Sequence, residues 1–195
     1  MAALQSWSDT FWKPVGDYLS IPASLSLAAA KLHLRIDHDD DDASINAYIL
    51  AACAAASGYC GRPVLPQYYD CTLSDKPLRP LLCPPGTYQV ANVMYMAADG
   101  SGLGMMDGNQ HYYVEHGVRP LLVFRETAPA VLGGYGNLAI RVAAGFDPLP
   151  HDALVAILMM VGTMYENRET VSPLTLKEYG AVQLLLDRHS MPVAV

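Results

Sequence analysis

The chain has 195 residues, of which only 16% are charged, and a formal net charge of −7. That length can bury one sizeable core, and so apolar a composition leaves surface for copies or partners to cover. The acidic balance argues against a protein that coats duplex DNA by neutralising phosphates.

Residues 1–22 read as an N-terminal arm. Trp7, Phe11, Trp12, Tyr18 and Ile21 are spread among polar residues, Pro14 and Gly16, so the segment has aromatic anchors but little core of its own. It straps either its own domain or a neighbour. There is no basic start followed by an apolar run, so no secretory signal is expected.

A first helical part covers residues 23–63. Ser24 or Ser26 caps a helix to about Ile36, with Leu27, Ala30 and Leu34 on one face. The run Asp37-His38-Asp39-Asp40-Asp41-Asp42 interrupts it. A second helix from Asp42 to about Tyr59 carries the stripe Ile45, Tyr48, Ile49, Ala52, Ala56, Tyr59, and alanines elsewhere let another backbone approach. Gly58, Gly61 and Pro63 end it. Ala51, Ala54 and Ala55 are expected to pack on a neighbouring helix, of this subunit or another.

From residue 64 to 147 the period becomes strand-like. Candidate strands are Tyr68–Leu73, Val90–Met96, Tyr112–Glu115, Leu121–Phe124 and Leu138–Ala143. No helix intervenes to make parallel crossovers, so the strands are expected to be antiparallel. Residues 148–171 return to the helical bundle. Asp152 is expected to cap a third helix to about Thr170, apolar nearly all round in its first half and therefore central. Its uncharged run from Ala153 to Tyr165 is taken as the longest in any helix and is too short to span a bilayer, so membrane insertion is not expected. Residues 172–195 form a C-terminal segment, with a short helix over Leu176–Arg188. The fold class is thus α+β: three main helices plus the C-terminal segment, with an antiparallel β insertion between helices two and three.

No residue set carries a convincing chemistry. The aspartate run places Asp37, Asp39 and Asp41 at positions one, three and five of a calcium loop. Position six, which needs Gly, is Asp42, and position twelve, which needs Glu, is Tyr48. Carboxylates accepting hydrogen bonds at a helix N-terminus explain the run more simply. Gly100-Ser101-Gly102-Leu103-Gly104 lacks the spacing and following helix of a phosphate loop, and reads as a turn. His111 and Glu115 can share a strand face while His116 points away, and two groups do not make a metal site. Cys53, Cys60, Cys71 and Cys83 form no C-x-x-C pair and read as small buried hydrophobes. No nucleophile, base or metal cluster is evident, so no cofactor, no metal and no catalysis are expected.

Several stretches together resemble the head–tail connector (adaptor) proteins of long-tailed double-stranded-DNA phages. They are Leu27 to Asp37, the acidic turn, Gly61-Arg62-Pro63, Ala144-Gly145-Phe146 and Tyr165-Glu166-Asn167-Arg168-Glu169. The resemblance implies a structural protein of the virion, made in the host bacterial cytoplasm and placed at the head–tail interface. It implies a homo-oligomeric ring, typically of twelve subunits, that docks on the phage portal protein. A stopper or tail-completion protein would bind below, and genomic DNA would pass through without specific binding. It also implies that the C-terminal segment contacts portal. The interface residues expected on these grounds are Ala51, Ala54, Ala55, Glu166, Arg168, Leu176, Tyr179, Leu184, Leu185 and Arg188. Glu166 and Arg168 cannot pair on one helix face, so Arg35 or the acidic run are candidate partners. Truncation after Thr170 is expected to leave a folded domain. The alternative is a binding module whose β insertion recognises a carbohydrate or peptide, and a metal-dependent enzyme is more remote.

Overall fold

The computed structural model describes residues 12–117, 119–167 and 180–191. It is mixed α+β and divides into two compact units, one of Ser20–Leu65 with Phe146–Val195, the other of Met1–Leu19 with Pro66–Gly145. The first is helical and the second is all β in its described residues.

In the helical unit a 3-10 turn, Ala23–Leu25, leads into α1 (Leu27–Leu34). Of the two serines proposed as its cap, Ser26 does the work: its Oγ accepts the Ala29 amide at 3.3 Å. α1 stops at Arg35, which takes the left-handed conformation at φ 59° while the Ile36 amide donates back to Lys31 O at 3.0 Å. α2 (Asp42–Cys60) buries Ile45, Ile49, Ala52, Cys53, Ala56 and Cys60 along one stripe. Gly61, at φ 64°, closes it by donating its amide to Ser57 O. Ser57 Oγ, donating to Cys53 O at 2.8 Å, also accepts the Val64 amide at 3.1 Å and so fixes the exit of the chain.

The chain from Ala43 to Gly61 carries no charged side chain, a longer uncharged run than Ala153 to Tyr165. α2 is therefore long and apolar enough, by length and composition alone, to cross a membrane, yet a third of it is buried inside the protein. Its core stripe is what a helix of a packed bundle shows.

α3 (His151–Glu166) buries Ala153, Ala156, Ile157, Met160 and Val161 and packs against α1, α2 and α4 (Gly180–Asp187), which makes it the central helix, as its composition implied. Asp152 is not its N-cap. Pro150 holds that position, and Asp152 lies inside the first turn with Oδ1 on the Ala153 amide at 3.0 Å. α4 inserts Val182 and Leu186, both fully buried. A truncation after Thr170 would strip that packing, so the segment is not the separable appendage its position suggested.

The β unit contains a five-stranded antiparallel sheet and a three-stranded one. With β1 (Lys13–Val15), β2 (Gln67–Leu73), β3 (Leu81–Leu82), β4 (Thr87–Met96), β5 (Leu103–Met105), β6 (Tyr112–Glu115), β7 (Leu121–Phe124) and β8 (Leu138–Ala144), the orders are β1-β2-β8-β4-β5 and β3-β7-β6. All pairings are antiparallel, as expected for an insertion without crossover helices. Alternation decides the faces. Leu138, Ile140 and Val142 of β8 turn into a core with Trp12, Tyr69, Cys71 and Val93, while Ala139 and Arg141 turn outward. Trp12 anchors the start of the described chain, its indole N–H donating to Leu82 O at 2.8 Å.

Three strands were not expected. β1 is three residues long and contains Pro14, and β3 is only two residues long. β5 begins inside the glycine-rich stretch read as a turn and runs on to Met105. There Gly104 faces Tyr95 across the ladder, and a Cβ at that position would lie 2.6 Å from the Tyr95 ring. The glycine makes room for an aromatic partner rather than for a phosphate.

Candidate assembly interface

The described residues among those expected at an interface fall in the helical unit. Ala51 and Ala54 are exposed on α2 and Ala55 is half-buried. Glu166 is exposed at the end of α3. Leu184 is 72% exposed on α4, Leu185 is half-buried and Arg188 is exposed just beyond it. Arg168, Leu176 and Tyr179 lie outside the described residues.

The outward side of α2 consists of Ala43, Ser44, Asn46, Ala47, Leu50, Ala51, Ala54 and Gly58, with no charge among them. Near its N-terminal half this side opens into a cleft of about 360 Å³ lined by Ile21, Leu25, Leu27, Asn46, Ile49 and Leu50. The alanine pattern had marked the face. The cleft had no signal in the sequence, because it arises where the 3-10 turn meets the helix.

The acidic run works differently from a cap. Asp41 occupies the N-cap position of α2 but accepts no capping bond there. Its Oδ2 instead accepts the Tyr165 hydroxyl at 2.6 Å. Lys31 Nζ sits on Asp39 at 2.5 Å and Asp42 at 2.8 Å. The hydrogen bond to Asp39, then that to Asp42, raises the Lys31 pKa, and the same bond lowers that of Asp39. The run is thus tied to α1 and to the end of α3, with Tyr165 rather than Glu166 as the contact. Asp40 stands out in solvent at 96% exposure.

Two of the stretches that carry the resemblance, Gly61-Arg62-Pro63 and Ala144-Gly145-Phe146, meet physically. The Arg62 guanidinium lies 4.1 Å over the Phe146 ring, and the Phe146 amide donates to Val64 O. Phe146 meets His189 edge-on, with ring centroids 5.2 Å apart, and His189 Nε2 donates to Asp152 Oδ1 at 2.8 Å. This bond holds the Asp152 carboxyl below the usual range. The stack joins the end of α2, the start of α3 and the turn after α4. Burial lowers the Arg62 pKa. At the same end the Tyr59 hydroxyl donates to Asp187 at 2.5 Å, a bond that raises the Tyr59 pKa.

The remaining candidates have structural work. His111 Nδ1 accepts the Asp107 amide at 2.8 Å and closes a turn. All four cysteines are free and buried, and burial pushes Cys53, Cys71 and Cys83 up to about 12. Among the described residues no group of three or more acidic, His or Cys side chains is placed to hold a metal ion. In the β unit Arg141 is held by Asp70 through two bonds of 2.6 Å.

Residues 24–82 match the family model of the phage gp6-like head-tail connector protein. No curated protein sequence matches the chain. Among solved structures, a chain in the neck of an empty gene transfer agent particle, computed with C6 symmetry, is 18% identical with a TM-score of 0.70, over 94% of this chain and 97% of that one. A chain in the neck of the native particle, computed with C12 symmetry, is 19% identical with a TM-score of 0.70 over the same shares. A chain of the native particle's virion is 19% identical with a TM-score of 0.69, over 92% and 96%. The resemblance to head–tail connectors therefore holds in the sequence of residues 24–82, and the likeness in fold to these chains extends over nearly the whole protein.

Proposed function

We propose that the chain is a structural, non-catalytic neck subunit of a phage or phage-like particle. In this reading copies form a ring of twelve at the head–tail interface of the virion. The ring docks on the portal, receives a stopper or tail-completion protein, and leaves a channel for DNA. The observation that carries it is the connector match at residues 24–82 within a fold shared, at nearly full length, with neck chains. The uncharged outward side of α2 supports it, since so apolar a surface calls for a cover. Synthesis in the host bacterial cytoplasm is part of the same proposal, and its reducing conditions suit four free cysteines.

The test is the mass of the purified full chain, alone and mixed with its portal. A ring-sized mass, or a portal complex holding many copies, is the expected result. A monomer at every concentration that ignores portal would overturn the proposal.

A further inference from the structure

We infer that the seam between neighbouring subunits seats Leu184 of one copy in the α2 cleft of the next. This rests on the ring reading above and names the surfaces that build it. The receiving side is the cleft lined by Ile21, Leu25, Leu27, Ile49 and Leu50, roomy enough for more than one aliphatic side chain. The donating side is the outward face of α4, where Ala181, Leu184 and Arg188 follow at three- and four-residue spacing and are all exposed. Leu184 is 72% exposed, on a helix whose opposite face is locked down by Val182 and Leu186.

Charge selects a second copy as the occupant. The cleft reaches Asn46, one turn from Asp42, whose partner Lys31 also holds Asp39; next in the chain, Asp40 is 96% exposed and meets the His38 ring at 3.9 Å. Arg188 lies one turn beyond Leu184 and makes no ion pair among the described residues. A neighbouring α4 laid antiparallel to α2 puts Leu184 at Leu50 and carries Arg188 toward Asp39 and Asp40. The two surfaces cannot satisfy each other within one chain. α4 is fixed at the far end of α2 by Tyr59–Asp187 and by the Met191 amide on Cys60 O, about nine residues or 14 Å along the helix from Leu50. A contact between two different faces is heterologous, the kind that closes into rings.

The experiment uses the full chain with Leu50→Cys and Leu184→Cys, singly and together. The native thiols are buried, so a short bis-maleimide reports only the introduced pair. The double variant should give a covalent ladder of oligomers and each single variant none. Leu184→Asp and Leu50→Asp, checked for fold by circular dichroism, should weaken association by about tenfold or more in sedimentation. Arg188→Asp should weaken it too, and adding Asp40→Arg should restore it. A wild-type ring that survives both aspartate substitutions, with no ladder, overturns this seam and leaves the ring standing. A wild-type chain that stays monomeric, ignores portal and never cross-links overturns the ring and the seam together.

Discussion

Trp12 shows how much one side chain can settle. It is buried, and its indole N–H is matched by a carbonyl seventy residues away in sequence. Trp12→Phe should leave Leu82 O unpaired at a cost of about 1–3 kcal/mol, and Trp12→Ala should cost about 3–5 kcal/mol; urea midpoints of the two variants separate the bond from the packing. Asp152 sets an acid limit. Its folded pKa lies below the usual carboxylate value because His189 donates to it. The stability it contributes is therefore present above about pH 4 and is lost as pH falls through the depressed folded value. Asp152→Asn should lower the denaturation midpoint at pH 7 and shrink its fall between pH 5 and 2, and an unchanged acid limb would contradict the pairing. The cysteines give a third check. A thiol held up to about 12 by burial reacts slowly with a disulfide reagent, so the native chain should titrate far more slowly than the same chain in denaturant.

At the scale of elements, Arg35 occupies a left-handed cap that glycine fills at less cost. Arg35→Gly should stabilise the protein by about 0.5–1 kcal/mol, the strain relieved less the entropy glycine gains in the unfolded chain, read as a rise in Tm. Ala54 separates fold from assembly. Ala54→Phe points outward from α2, so the monomer's stability should move by no more than about 0.5 kcal/mol. Any partner packed there is overpacked by about 1–3 kcal/mol. Helices and long strands were legible in the sequence because their periodicity is local: α2 starts at the expected Asp42, and β6 and β7 match to the residue. The missed strands β1, β3 and β5 are two or three residues long, and pairing partners define them more than their own pattern does. The aspartates misled for a related reason. A carboxylate before a helix suits its dipole wherever it points, and only the fold shows that Lys31 and Tyr165 claim these. Alanine spacing picked out a charge-free outward side of α2, but the cleft exists only once the turn at Ala23–Leu25 has folded against it.

For the whole molecule, the acidic balance limits what a DNA channel could be. Arg141 is committed to Asp70 and Arg62 is stacked on Phe146, while Arg79 and Arg119 are among the exposed arginines. The purified protein should not retard duplex DNA near physiological salt. Tight binding that falls steeply with salt would reveal a basic lining instead.

The links between the two units also decide how the protein bears load. The chain crosses between the units three times, at Leu19–Ser20 after β1, at Leu65–Pro66 before β2 and at Gly145–Phe146 after β8. The three strands are neighbours, with Val15↔Tyr68 and Gln67↔Ala144 at their crossing ends, so all are pulled from the same end. Tension between the units therefore does not peel β2 from β8 one bond at a time. The load passes instead to the ladder between β8 and β4, which spans Thr87 to Tyr95.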